Sequence, residues 1–319
     1  MSALKTLAAL AATFALSHTA LAAAPFDQAP APGIYRMMLG KFQVTTLSDG
    51  TVTIPLDKLL TGIAPATLAA SLQAAHLQPM TETSINAFLI NTGKHLVLID
   101  TGAGDLFGLP MGEHAGRLQR SLRNAGYAPE QIDAVLLTHI HADHSGGLSH
   151  DGVRLFPNAQ VYVDRHDSDF WLNPANRAGA AEGQRHGFDE AQAMLAPYVA
   201  AGKLSPFQDG EEIVPGIRAV AAPGHTPGHS YYAVESGGQK LLLLGDMIHA
   251  GAVQFAHPDT TIRFDVDAAA AKAQRASEMA DAAKNGYWVG AAHLSFPGIG
   301  HIARDGEGYR WLPANYSAW

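Results

Sequence analysis

Directly after the apolar run Ala134–Thr138 the chain reads His139-Ile140-His141-Ala142-Asp143-His144-Ser145-Gly146-Gly147. Four side chains able to hold a metal fall within six residues, at the end of a run apolar enough to be a buried strand. They cannot all face an apolar core. Buried imidazoles and carboxylates need partners, and a metal ion satisfies several of them at one point. In a locally extended loop His139 and His141 point the same way, whereas the adjacent Asp143 and His144 diverge. Such a loop can feed two metal ions.

The same residue types recur where later apolar runs end. Gly224-His225-Thr226-Pro227-Gly228-His229 follows Ile217–Ala221, Gly245-Asp246 follows Leu241–Leu244, and His293 follows Tyr287–Ala291. A lone Asp after a strand is ordinarily a helix cap. Loops at the edge of a rigid sheet are also where active sites are built, and the segments together point to a metal centre. Composition closes other routes. The 319 residues include 16 His and no Cys, which excludes disulfides, thiolate ligands, iron–sulfur clusters and thiol nucleophiles. With 21 Lys and Arg against 29 Asp and Glu the formal charge is −8, and no basic run appears, which argues against a nucleic-acid partner. An apolar content of 47% with 16% charged residues supplies a large core and excludes a disordered chain.

Strands and helices alternate around these segments. The sequence predicts a β-hairpin from Lys41–Ser48 and Thr51–Ile54 about the turn Asp49-Gly50, and a second strand pair from Asn86–Asn91 and His95–Asp100. Further strands are expected at Ala159–Val163, Ser230–Glu235 and Lys240–Gly245, besides the apolar runs already named. Helices are expected at Pro65–Ala75, Glu113–Ala125, Asp167–Leu172, Phe188–Ala201 and Asp267–Asn285. No Gly/Ser linker divides the chain, so the expectation is one layered α/β (α+β) domain over residues 23–319, sheets inside and helices outside. Residues 1–22 have the layout of a secretory signal peptide: Lys5, an apolar stretch from Leu7 to Leu16, then small residues around Ala20-Leu21-Ala22. The apolar stretch is shorter than the about 20 residues of a membrane span, so a periplasmic or secreted protein with no membrane insertion after cleavage is expected.

These segments resemble the metallo-β-lactamase superfamily. The residues that carry the resemblance are the run His139–His144, Gly224–His229, Gly245-Asp246, His293 and the earlier Asp100-Thr101-Gly102. Leu47-Ser48-Asp49-Gly50, Asp169-Phe170-Trp171-Leu172 and the tail His293–His301 look more narrowly like methyl parathion hydrolase-like exported metallohydrolases, an organophosphate hydrolase and lactonase group.

The resemblance implies an αββα sandwich holding two divalent metal ions. His139, His141 and His225 would hold one, Asp143, His144 and His293 the other, and Asp246 would bridge them, with Asp246 and Asp143 as the catalytic carboxylates. Zinc is the default for an imidazole-rich set, while manganese, cobalt or iron suits a mixed His/carboxylate one. The implied activity is hydrolysis of aryl esters, lactones and organophosphate triesters by a hydroxide bridging the metals. Its alternatives are an acyl-homoserine lactone lactonase or thioesterase of the same fold and a non-catalytic periplasmic metal- or ligand-binding protein. Phe107, Trp171 and Phe188 are implied at an aromatic leaving-group pocket for a hydrophobic, neutral small molecule. His249 would line that pocket or donate to a substrate oxygen, His229 would orient a ligand from behind, and a homodimer is the implied assembly.

Overall fold

The computed structural model describes Phe26, residues 31–108 and residues 111–316. The chain divides into two units, Met1–Ala31 and Pro32–Trp319, and every described strand and helix belongs to the second. The expected signal segment, residues 1–22, lies outside the described residues.

Two seven-stranded sheets form, and within each the strands lie side by side in chain order. The first contains β1 (Ile34–Leu39), β2 (Phe42–Pro55), β3 (Met80–Asn91), β4 (Leu96–Ile99), β5 (Ala134–Leu136), β6 (Gln160–Asp164) and β7 (Leu204–Phe207). The second contains β8 (Glu212–Val214), β9 (Ile217–Ala221), β10 (Ser230–Ser236), β11 (Gln239–Leu243), β12 (Trp288–Gly290), β13 (Ile299–Asp305) and β14 (Gly308–Pro313). Parallel neighbours occur from β4 to β7 and between β11 and β12. The longer helices are α1 (Pro65–Ala74), α2 (Leu118–Asn124), α3 (Arg165–Trp171), α4 (Arg185–Ala200) and α5 (Ala268–Asn285).

Alternation along the strands builds the layers, because successive side chains leave a sheet on opposite faces. Phe88, Ile90, Val97 and Ile99 point between the sheets, where they meet Ala219, Tyr232, Val234, Leu241 and Leu243. Their neighbours Leu89 and Leu98 point outward, against Leu118 and Leu122 of α2 and Met194, Leu195 and Tyr198 of α4. On the far side, Ala233, Leu242 and Val289 pack against Met279 and Ala282 of α5. The result is helix, sheet, sheet, helix. Each buried Leu or Ile contributes about 1.5–3 kcal/mol of transfer free energy to this stack. Among the described residues no helix is long and apolar enough to cross a membrane.

Two local expectations are corrected. Asp49-Gly50 does not turn a hairpin: β2 continues through it, pairing with β3 from Gln43 to Pro55, and the register shifts between Ser48 and Gly50. The reason is the Asp49 side chain, which is fully buried and accepts from Ala103 N at 2.9 Å, Gly116 N at 3.0 Å and Leu118 N at 2.9 Å. Asp49 thereby caps α2 from a strand far earlier in the chain. The second correction follows from it. The helix expected over Glu113–Ala125 is a short 3-10 turn, Met111–His114, and a separate α2, because Gly116 turns to a φ of 72° where its N–H reaches Asp49. Gly102, at φ 71°, passes so close that a Cβ there would lie 2.2 Å from Asp49 Cγ. Replacing Asp49 with Ala leaves three N–H groups without their acceptor, those of Ala103 and Leu118 buried. A loss of about 3 kcal/mol is expected, read from the urea midpoint at unchanged m-value.

Candidate metal centre

Each ligand-type side chain stands on a loop leaving the carboxyl end of a strand, the edge at which open α/β sheets bind ligands. After β5 the chain passes through Thr138, His139 and His141 and then makes one helical turn, Ala142–Ser145, with His141 at its N-cap position. That turn separates the donors. His139 Nε2 lies 2.9 Å from His141 Nδ1, and His225 Nε2, arriving from beyond β9, lies 3.1 Å from the same atom. Asp143 Oδ2 and His144 Nε2, inside the turn, lie 3.7 Å apart, and His293 Nε2, from beyond β12, lies 3.4 Å from Asp143 Oδ2.

Asp246, on the loop after β11, faces both groups. Its Oδ2 lies 3.3 Å from His225 Nε2 and 3.8 Å from His139 Nε2. Its Oδ1 lies 3.0 Å from His144 Nε2 and 3.2 Å from His293 Nε2. Within the set His139, His141, His225 and Asp246, and within the set Asp143, His144 and His293, all donor atoms lie within 4.8 Å of one another. Donors bound to one cation at about 2.0–2.2 Å in a tetrahedral arrangement stand about 3.3 Å apart, so both sets have the right spacing. His144 Nε2 and Asp246 Oδ1 are buried and, although 3.0 Å apart, make no hydrogen bond, a deficit that a cation between the two sets would remove.

The remote ring nitrogens are anchored. His144 Nδ1 donates to Asp100 Oδ2 at 2.9 Å, His225 Nδ1 to Asp265 Oδ1 at 2.9 Å, and His293 Nδ1 to the Ser84 carbonyl at 2.9 Å. Each bond turns Nε2 toward the cluster. Asp100 is itself fixed, at a φ of 61°, by the N–H and hydroxyl of Thr138. His229 stands behind Asp246: its Nε2 accepts from the Asp246 N–H at 3.0 Å, and its Nδ1 donates to the Ala222 carbonyl. Burial and the neighbouring His225 bring His229 down to about 3, so its ring is neutral. Gly245 takes a φ of 55° here, where a Cβ would lie 2.8 Å from His229 Nε2.

Electrostatics divides the imidazoles. Burial and their neighbouring rings hold His139 and His141 well below the ordinary histidine range, leaving neutral bases. Burial opposes charge at His144, His225 and His293 too, but Asp246 and the other carboxylates beside them override it and carry His225 up to about 9. Burial alone would raise Asp246, yet His144, His293 and His249 hold it well below the usual carboxylate range. This buried pocket of ionised carboxylate attracts positive charge.

His249 joins the cluster more closely than a pocket lining requires. Its Nε2 lies 3.0 Å from Asp246 Oδ2, its ring stacks on His293 at 5.4 Å, and its buried Nδ1 has no partner. Trp171 meets His141 edge-on at 5.4 Å. Phe188 is buried behind Trp171, 4.8 Å from it, while Phe107 packs in a small apolar cluster with Val52, Ile85 and Ala103. Three exposed apolar side chains that sequence reasoning missed flank the cluster. Phe264 faces the His249 ring at 6.4 Å, Val266 N donates to the His225 carbonyl, and Phe296 N donates to Ser84 Oγ. Asp265 was also missed, since nothing local marks it as the partner of a histidine 40 residues earlier.

A four-layer sandwich with a buried His/Asp cluster at the strand ends narrows the chain to one class of fold and site. The chain belongs to the metallo-β-lactamase superfamily, whose family model matches residues 80–289. Among solved structures it is similar to a hydrolase named AbOPH in the beta lactamase superfamily, at 36% identity and a TM-score of 0.86, covering 91% of this chain and 100% of that one. It is also similar to AidC, a dizinc quorum-quenching lactonase solved with an N-acyl-homoserine product, at 27% identity and a TM-score of 0.82, covering 90% and 99% of the two chains. An N-acyl homoserine lactonase from Bacillus sp is 25% identical over 164 residues, 47% of this chain and 57% of that protein. The chain thus spans little more than half the length of that curated relative.

Proposed function

We propose that this protein is a binuclear metallohydrolase that opens lactones and aryl esters, with organophosphate triesters as a side activity. The observation that carries this reading is the single Asp246 carboxylate shared by two donor sets, beside exposed apolar side chains. Similarity to AidC supports a lactone among the substrates. The signal-like layout of residues 1–22 and the Cys-free donor set support export to the periplasm or beyond.

His139, His141 and His225 would hold one cation and Asp143, His144 and His293 the other, with Asp246 between them. When bound, divalent cations supply the Lewis acidity that makes water a nucleophile near neutral pH and draws charge onto a carbonyl or phosphoryl oxygen. The chain does the positioning. Asp100, Asp265 and Ser84 keep the rings of His144, His225 and His293 from turning, and His229 holds the Asp246 backbone in place. Trp171, Phe264 and Phe296 offer apolar surface to an acyl or aryl group and keep bulk water from the cluster. His249, its Nε2 3.0 Å from Asp246 Oδ2, adds a further imidazole beside the bridging carboxylate.

One purified preparation, first analysed for metal content, tests the reading against dihydrocoumarin, phenyl acetate, an N-acyl homoserine lactone, methyl parathion and a β-lactam. Two metals per chain are expected, with kcat/KM on the best lactone or aryl ester at least about tenfold above that on methyl parathion, a margin of roughly 1.4 kcal/mol. The β-lactam should be inert. Two bound metals with no hydrolysis across the panel would overturn the enzymatic reading in favour of a binding protein.

A further inference from the structure

Asp167, near the start of α3, is fully buried and belongs to neither donor set. A carboxylate at the third residue of a helix commonly folds back onto its own helix start. In α3 that position is already served by Asp164, whose Oδ1 accepts from His166 N at 2.7 Å. Asp167 reaches outward instead. Its Oδ2 accepts from Ile140 N at 2.9 Å and its Oδ1 from Gly228 N at 2.7 Å. Ile140 sits between His139 and His141, and Gly228 lies between His225 and His229, the ring that holds the Asp246 N–H. The approach is close: a Cβ on Gly228 would lie 2.3 Å from Asp167 N.

We infer that Asp167 is a positioning residue, a two-ended pin that sets the His139/His141 loop against the His225/His229 loop and so shapes the first metal site specifically. This rests on the metallohydrolase reading. The selectivity follows from which chain segments the pin joins. His139, His141 and His225 all come from the two pinned loops. The second site takes Asp143 and His144 from within the helical turn and His293 from a third loop, and the Asp167 carboxylate makes no bond to that third loop. Bidentate acceptance by one carboxylate is also hard to replace. Asn at this position keeps one acceptor and sets an amide donor against the other N–H, so one loop is released.

The test compares wild type and Asp167→Asn for bound zinc by elemental analysis and for the visible spectrum of the cobalt-loaded protein. In the variant, zinc should fall from two per chain to about one, and affinity at the weaker site should drop about 10–100-fold. The cobalt spectrum should keep one set of bands. A general loss of stability would weaken both sites together, so equal loss from both would overturn the pin, as would two metals bound with wild-type affinity. If the variant does not fold, amide exchange in metal-free wild type decides. The Ile140 and Gly228 amides should exchange at least tenfold more slowly than the Asp143 amide, and exchange as fast as that amide would overturn the inference. A wild-type chain that takes up no metal would sink the metallohydrolase reading instead, and the exchange measurement would still decide whether Asp167 pins the loops.

Discussion

Asp246→Ala is expected to remove at least one of the two metals and to lower kcat/KM by roughly 10³-fold or more. The Asp246 carboxylate faces imidazoles of both donor sets. Its two oxygens stand within 3.3 Å of His144, His225, His249 and His293, and it is the carboxylate nearest the neutral His139. Without it, buried imidazoles raised by its charge lose their counter-charge, and a cation placed there would meet donors that are nearly all neutral. Asp246→Asn keeps the shape and removes the charge, so it separates the two contributions. Elemental analysis and progress curves on the best substrate read both variants. Full activity with full metal content in the alanine variant would refute the bridging role.

Chelation should produce the largest change in stability. A ligand present at a thousand times its dissociation constant stabilises the folded state by about 4 kcal/mol, and two sites double that. At roughly 2–4 °C per kcal/mol for a domain of this size, stripping both metals should lower Tm by roughly 15–30 °C, restored by adding zinc back. The cause lies in the buried donors, whose nitrogens and oxygens crowd within 4.8 Å of one another inside each set. His144 Nε2 and Asp246 Oδ1 are buried 3.0 Å apart without hydrogen-bond geometry, a cost that metal binding removes. A chelated protein that melts at the same temperature would mean that the cluster binds metal weakly or not at all.

The strand ends bearing ligands were legible because apolar runs and ligand-type residues alternate in the chain, and both patterns are local. Ala134–Thr138, Ile217–Ala221 and Leu241–Leu244 announce buried strands, and the polar residues just past them have nowhere to go but the edge. The Asp49-Gly50 segment misled for the opposite reason. Its sequence is that of a turn, and only the three N–H groups arriving from residues 103–118 make it a bulge within a continuous strand. Asp265 and Asp167 were illegible for the same cause, since each acts on a loop remote in sequence. Phe264, Val266 and Phe296 lie in loops without periodicity, so their exposure beside the cluster could be found only in three dimensions.

The chain-order pairing of strands has one more consequence. All of β1–β7 precede all of β8–β14, so each sheet closes from a contiguous half of the sequence. Four donors, His139, His141, Asp143 and His144, come from the first half, and His225, Asp246 and His293 from the second. Neither half owns a complete coordination set. A cation held by either set would therefore rivet the two sheets together, drawing its donors from both halves of the chain.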